Sequence, residues 1–288
     1  MSGRFLLLFF AAAAVIPAQD PPARVGRLSY ISGAVSFQPA GLDDWVTAGI
    51  NRPLTAGDQL YTDAGARAEV HIPGAAYRLS SQTAFGFPNL DDQRVQARLS
   101  EGVLSLRVRR LEGNLEVDTP NLAFTITRPG VYRITTDPNS YQTYLTVRDG
   151  EGQVTANSGT FAVERGQQAV VAGQNGEQQN LYPAPGYDDF DNWVLTRDHR
   201  EDYVRSARYV SPDAVGYEDL DNYGQWRTLP GYGECWTPTN VPAGWAPYHD
   251  GYWTWVDPGR KTICGPGWTA AGSRAPGGRN RSLRSLCY

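Results

Sequence analysis

Few side chains in this 288-residue sequence stand at spacings that do chemistry. The three histidines, His71, His199 and His249, are far apart in the chain. His71 falls in an alternating strand pattern and His199 inside a helical one, so each reads as a surface or packed histidine rather than a ligand. No H-E-x-x-H, G-x-S-x-G, phosphate-binding loop or dinucleotide fingerprint occurs. The cysteines, Cys235, Cys264 and Cys287, sit late in the chain with no C-x-x-C pair to suggest zinc. In an oxidising compartment their odd number leaves one thiol unpaired or intermolecular. Acidic clusters do occur: Asp43-Asp44, Asp91-Asp92, Asp188-Asp189 with Asp191, and Glu218-Asp219 with Asp221. A glycosidase would need two carboxylates about 5–10 Å apart across a cleft. Adjacent acids in loops instead read as solvated turn or cap residues. No catalytic residue, metal site or cofactor is expected, and the chain reads as a non-enzyme.

The aromatic residues are the best candidates for a site. Six of the eight tryptophans fall between Trp226 and Trp268. Flat indole and phenol faces bind sugar rings, cations and proline-rich peptides. Trp253 and Trp255 are two apart and would share one face of a strand. Trp245 and Tyr248 would extend that surface. The competing reading makes the same rings the core of a small domain, because each buries about 150–250 Å².

The elements that must position these residues are mostly strands. Period-two runs recur from residue 24 to about 174, among them Arg27–Ile31, Ala34–Phe37, Ala68–Ile72, Val103–Val108, Leu122–Ile126, Tyr144–Val147 and Thr160–Val163. Such alternation marks half-buried antiparallel strands. Turns are expected at Ala56-Gly57-Asp58, Asp63-Ala64-Gly65, Ser100-Glu101-Gly102 and Asp149-Gly150. The pattern predicts a mainly β protein, a sandwich, roll or short solenoid. Residues 175–187, rich in Gln, Asn, Gly and Pro, read as a linker. One helix is expected over 188–208. Asp188, Asp189 and Asp191 stand at its positive end, Phe190, Trp193 and Val194 share a face, Glu201 and Arg205 sit four apart, and Pro212 follows as a stop. Residues 209–258 form a small aromatic and proline-rich region.

The termini carry two further expectations. Arg4, the apolar run Leu6–Ile16 and the small residues after it predict an export signal over 1–18, too short for a membrane span. No later segment approaches the ~20 apolar residues of a spanning helix. After Pro258 the composition turns to Gly, Arg, Ala, Pro and Ser with no acid beyond Asp257. Residues 259–288 therefore read either as the product of a shifted reading frame or as a disordered basic tail. The formal net charge of −4 gives no footprint for nucleic acid.

Two stretches carry a family resemblance. Gly33-Ala34-Val35, Trp45, Asn51-Arg52-Pro53-Leu54, Gly57-Asp58, Ala68-Glu69-Val70, Gly102-Val103-Leu104-Ser105-Leu106, Val117-Asp118-Thr119-Pro120, Arg128-Pro129-Gly130-Val131-Tyr132 and Val147–Gly152 together resemble the FecR-like domain over residues 24–174. Gly216-Tyr217-Glu218-Asp219-Leu220, Gly224-Gln225-Trp226, Trp236-Thr237-Pro238, Gly244-Trp245-Ala246-Pro247-Tyr248 and Gly251–Pro258 are similar to an aromatic domain of unknown function that often follows it. The resemblance implies an extracytoplasmic β-module with a binding role. The sequence shows neither the cytoplasmic anti-sigma segment nor the spanning helix of the founding sensors. The expectation is an exported, periplasmic or surface binding or scaffold protein of a bacterial envelope. Its partner would be another envelope protein, or an envelope polysaccharide held by the aromatic region.

Overall fold

The computed structural model describes residues 24–239 and 241, apart from 138, 212 and 213, together with the backbone of 252–257, 260–265, 268–270 and 286–287. The expected export signal, Trp245 and Tyr248 lie outside the described residues.

Fifteen strands form one mixed sheet. The first eight are β1 Gly26–Ser32, β2 Val35–Gln38, β3 Val46–Thr47, β4 Pro53–Leu54, β5 Gln59–Thr62, β6 Arg67–Ile72, β7 Ala75–Leu79 and β8 Thr83–Leu90. They are followed by β9 Arg94–Val108, β10 Asn114–Asp118, β11 Ala123–Asp137, β12 Gln142–Ala156, β13 Gly159–Glu164, β14 Gln167–Ala172 and β15 Gln178–Pro183. The main path runs β15-β14-β12-β11-β10-β9-β7-β6-β1-β4, and a branch β9-β8-β5-β2-β3 folds away from it. Among the described strands only β9 and β10 pair in parallel. Alternation explains the core. In β6, Ala68, Val70 and Ile72 join the central apolar cluster with Leu28, Tyr77, Leu104, Tyr132 and Leu145, while Glu69 and His71 point to the opposite face.

The mainly β expectation holds, but two expected turns are strand interior. Ser100-Glu101-Gly102 lies inside β9, and Asp149-Gly150 lies inside β12. Gly102 and Gly150 take φ of 92° and 87°, and the ladders slip beside them, between Ala84 and Phe85 and between Arg128 and Val131. These glycines make bulges that bend long strands, so one strand serves two layers of the fold. In β9, residues 94–101 pair with β8 and β10, and residues 102–108 pair with β7 and β11.

The segment expected as a linker contains β15, paired along β14 from Gln167↔Pro183 to Ala172↔Gln178. Its side chains are all exposed, so main-chain bonds rather than apolar burial hold it. The expected helix is α1, Asp189–Asp202, followed by a separate 3-10 turn, Arg205–Arg208. Asp188 caps it in a capping box with Asp191. The expected Glu201–Arg205 pair fails, because the helix ends first and Glu201 turns to the sheet instead. Further on, β16 Gly224–Leu229 and β17 Gly233–Pro238 form a hairpin with Trp226 opposite Trp236. Cys235 is fully buried and disulfide-bonded. Beyond it lie the backbones of β18 Tyr252–Asp257, β19 Arg260–Gly265, β20 Trp268–Ala270 and β21 Leu286–Cys287. Backbone strands thus occur within 259–288, the stretch expected as a disordered tail.

Candidate functional site: a buried charge cluster under the helix

The outer face of β1, β6, β7 and β9 carries a row of ionisable side chains, and α1 lies across it. Strand alternation sends Arg27, Glu69, His71, Arg78 and Arg107 to this face, away from the apolar core, and Arg109 joins them just past the end of β9. On α1 the buried face reads Phe190, Asp191, Val194, Asp198 and Glu201. The helix therefore docks with carboxylates where an apolar stripe is usual.

Arg78, fully buried, is the centre. It donates to Glu69 at 2.6 Å, to Asp198 at 2.7 Å and to Glu201 at 2.7 Å. Glu69 also receives Arg197 at 2.5 and 3.0 Å and the Ser29 hydroxyl at 3.0 Å. Arg109 donates to Glu201 and to Asp202, both at 2.8 Å. His71 places Nδ1 2.5 Å from Glu218 and Nε2 3.1 Å from Glu201. Both ring nitrogens face carboxylates, which an imidazolium alone satisfies as a double donor. Glu218 and Asp219 belong to a 3-10 turn, Tyr217–Asp219, and take Arg27 at 3.0 and 2.5 Å. The other end of α1 is held likewise. Asp191 takes Arg133 at 2.8 Å and Arg148 at 3.1 Å. Aromatic contacts fill the gap between, with Trp193 5.6 Å from Tyr30 and Arg197 stacked 4.6 Å over Tyr30.

This network sets the charge states. Burial alone would lower the His71 pKa, but Glu218, Glu69 and Glu201 raise it to about 10. Burial would raise Glu201, yet the hydrogen bond and charge of His71, with Arg78, hold it at about 2. Glu69 and Glu218 are likewise held below the usual carboxylate range against their burial, chiefly by the His71 charge.

Glu69, His71 and Glu201 bring one possible ligand atom each within 4.8 Å of one another, a spacing that suits a metal ion. The donor set does not suit one. Guanidinium groups of Arg78, Arg197 and Arg109 already sit on those same carboxylates, and a cation placed among them would meet three fixed positive charges. Beside the cluster is a cavity of about 70 Å³ lined by His71, Ala76, Arg109, Glu201, Tyr217 and Glu218. It holds water-sized molecules but no polymer.

Residues 217–272 match a family of unknown function, DUF6600. The match begins at the turn that delivers Glu218 and Asp219 to the cluster, and it runs past Pro258, so the change of composition falls inside the matched segment. No curated protein matches the chain. Two crystal structures of candidate anti-sigma factors from Parabacteroides distasonis are similar to it at 16% identity, with TM-scores of 0.40 and 0.41. The likeness covers 44% and 47% of this chain and 59% and 64% of theirs. The cluster thus joins three parts: the β-module, α1 and the first turn of the DUF6600 segment.

Trp253 and Trp255 stand at alternate positions of β18, with their side chains outside the described residues, as are Trp245 and Tyr248. The cluster itself was hidden. Glu218-Asp219, expected as solvated turn residues, is an ion-pairing turn in which Glu218 is buried and Asp219 half-buried. His71, expected as a surface or packed histidine, is packed, and both its nitrogens are paired. The available signal was a match of periods. Acids recur on the face of α1 that carries Val194, and basic residues recur at alternate positions along and just past β9, Arg107 with Arg109 most plainly.

Proposed function

We propose that this chain is a non-catalytic binding or scaffold protein of the bacterial cell envelope, in which the β-module and the DUF6600 segment are locked together by an ionic clamp. The observation that carries this reading is the pairing of the cluster. The carboxylates beside the one histidine of the sheet face are engaged by guanidinium groups, and His71 is held as a cation. A general base needs a free lone pair near neutral pH, which an imidazolium with a pKa of about 10 does not offer. Export and an envelope location follow from the signal-like N-terminus and the resemblance of residues 24–174 to FecR-like domains. A part in envelope signalling is the form of binding that resemblance favours. No helix among the described residues is long and apolar enough to cross a membrane.

The test uses the mature chain, immobilised and exposed to envelope extract, with bound protein and polysaccharide both identified. A stoichiometric protein partner supports the scaffold reading. The same preparation is incubated with envelope polysaccharide and peptide. Product release that disappears in Glu218→Gln would mark the cluster as a reaction centre and overturn the proposal. A polysaccharide ligand is favoured by one observation, the placing of Trp253 and Trp255 two apart in a single strand. Binding that is lost in the Trp253→Ala, Trp255→Ala double variant, with the fold retained, would replace the protein partner by a glycan.

A further inference from the structure

The outermost strand of the main sheet is unlike its other edges. β15 pairs with β14 along one side and with no strand on the other among the described residues. Natural sheets protect an open edge by keeping it short, by bulges or by charge. β3 and β4 are two residues long, and β13 closes on Glu164. β15 has none of these, and the further device of an edge proline enters only at its last residue, Pro183. Its register with β14 is regular over six residues, no side chain from Gln178 to Pro183 is charged, and all six are exposed, including Leu181 at 49% and Tyr182 at 51%.

The backbone direction follows from one bond. Ala184 donates its amide to the Gly166 carbonyl, so residue 184 points into the sheet, and by alternation residues 183, 181 and 179 turn outward. Pro183 fits an outward position because it has no N–H to give the β14 ladder. The open edge therefore offers donors and acceptors at Gln179 and Leu181 and an acceptor alone at Pro183.

From this geometry we infer that β15 pairs antiparallel with β15 of a second copy of this chain, about a two-fold axis at Asn180. Outward residues must face outward residues in such a pair. A register centred on Leu181 would set Gln179 against Pro183 and waste a carbonyl. A register centred on Asn180 sets Gln179 against Leu181 of the second copy, twice, and forms four main-chain hydrogen bonds with no proline in the ladder. Asn180 then faces Asn180 of the second copy, an amide pair that supplies both donor and acceptor. Gln178 faces Tyr182 of the second copy. A second copy fits better than a foreign strand because the segment is uncharged and meets its own image without repulsion. The contact is a strand pair only, at the small end of interfaces, so the dimer is weak and concentration-dependent.

Light scattering on the mature chain across a wide concentration range is expected to show a dimer that Asn180→Lys, which sets two like charges on the axis, and Leu181→Pro, which removes an outward donor, both convert to monomer. Circular dichroism checks that each variant keeps its fold. Under mild oxidation Asn180→Cys is expected to give a crosslinked dimer above the background of the native cysteines, and Tyr182→Cys is not, since its copies lie at opposite ends of the pair. A wild-type chain that stays monomeric, a dimer that survives both edge variants, or equal crosslinking from the two cysteines would overturn the inference. Each of those results leaves the binding proposal standing, because β15 lies apart from the clamp.

Discussion

Arg78 shows how a single buried charge can organise a fold. Its guanidinium meets three carboxylates from β6 and α1, and none of the four groups touches bulk water to any extent. Such a network gains little over an apolar replacement of the whole, but breaking one member strands the others. Arg78→Met is therefore expected to cost about 3–5 kcal/mol in chemical denaturation. A loss within experimental error would mean that the carboxylates are solvated in solution. His71 gives the pH dependence. Its folded pKa of about 10 lies above the ordinary 6.5, so its contribution is complete below 6.5 and is lost as pH rises toward 10. Glu201, lowered from 4.5 to about 2, contributes fully above 4.5 and loses that contribution as pH falls toward 2. Stability should be flat between 4.5 and 6.5 and decline on both sides. Thermal melts across pH check this, and in His71→Gln both declines should shrink, the alkaline one because the imidazolium is gone and the acid one because Glu201, Glu69 and Glu218 lose its charge.

At the scale of elements, glycine bulges and helix docking decide the architecture. Gly150 takes a φ of 87°, and a Cβ there would lie 2.2 Å from the Tyr132 hydroxyl oxygen. Gly150→Ala must move that ring or the bulge, and about 1–3 kcal/mol of destabilisation is expected by denaturant titration. An unchanged midpoint would show that the bulge does not need glycine. The same residue explains why the sequence suggested a turn: Asp-Gly favours one, and only the partners on both sides of β12 turn it into a bend within a strand. The start of α1 was readable because capping is local. Asp188 bonds the Asp191 amide and also meets Arg133. Asp188→Ala should weaken the helix by about 1 kcal/mol, read as faster amide exchange in its first turns. The docking of α1 was not readable, since Glu201 finds its partners more than ninety residues away in sequence at Arg78 and Arg109.

For the whole molecule, the cluster moves the boundary of the folded unit. A β-module ending at residue 174 or 187 would leave Glu69, His71 and Arg78 beneath no helix, with their charges facing one another across an open surface. A chain cut after residue 187 is therefore expected to melt earlier and with less cooperativity than one cut after residue 239, as scanning calorimetry would show. Equal transitions would make α1 and the DUF6600 turn accessories to an independent module.

Local pattern alone determined many of the strands, the capped start of α1 and the mainly β class, because alternation and capping are short-range, while β15 and the bends inside β9 and β12 escaped it. It also marked the aromatic C-terminal stretch that the DUF6600 match covers. Only the tertiary structure decided which polar face is buried. A charged residue on the outward side of a strand looks the same whether water or a helix lies over it. Glu69, His71 and Arg78 became a clamp when α1 supplied opposite charges at the spacing of the strands beneath, and that complementarity exists between distant segments rather than in any one of them.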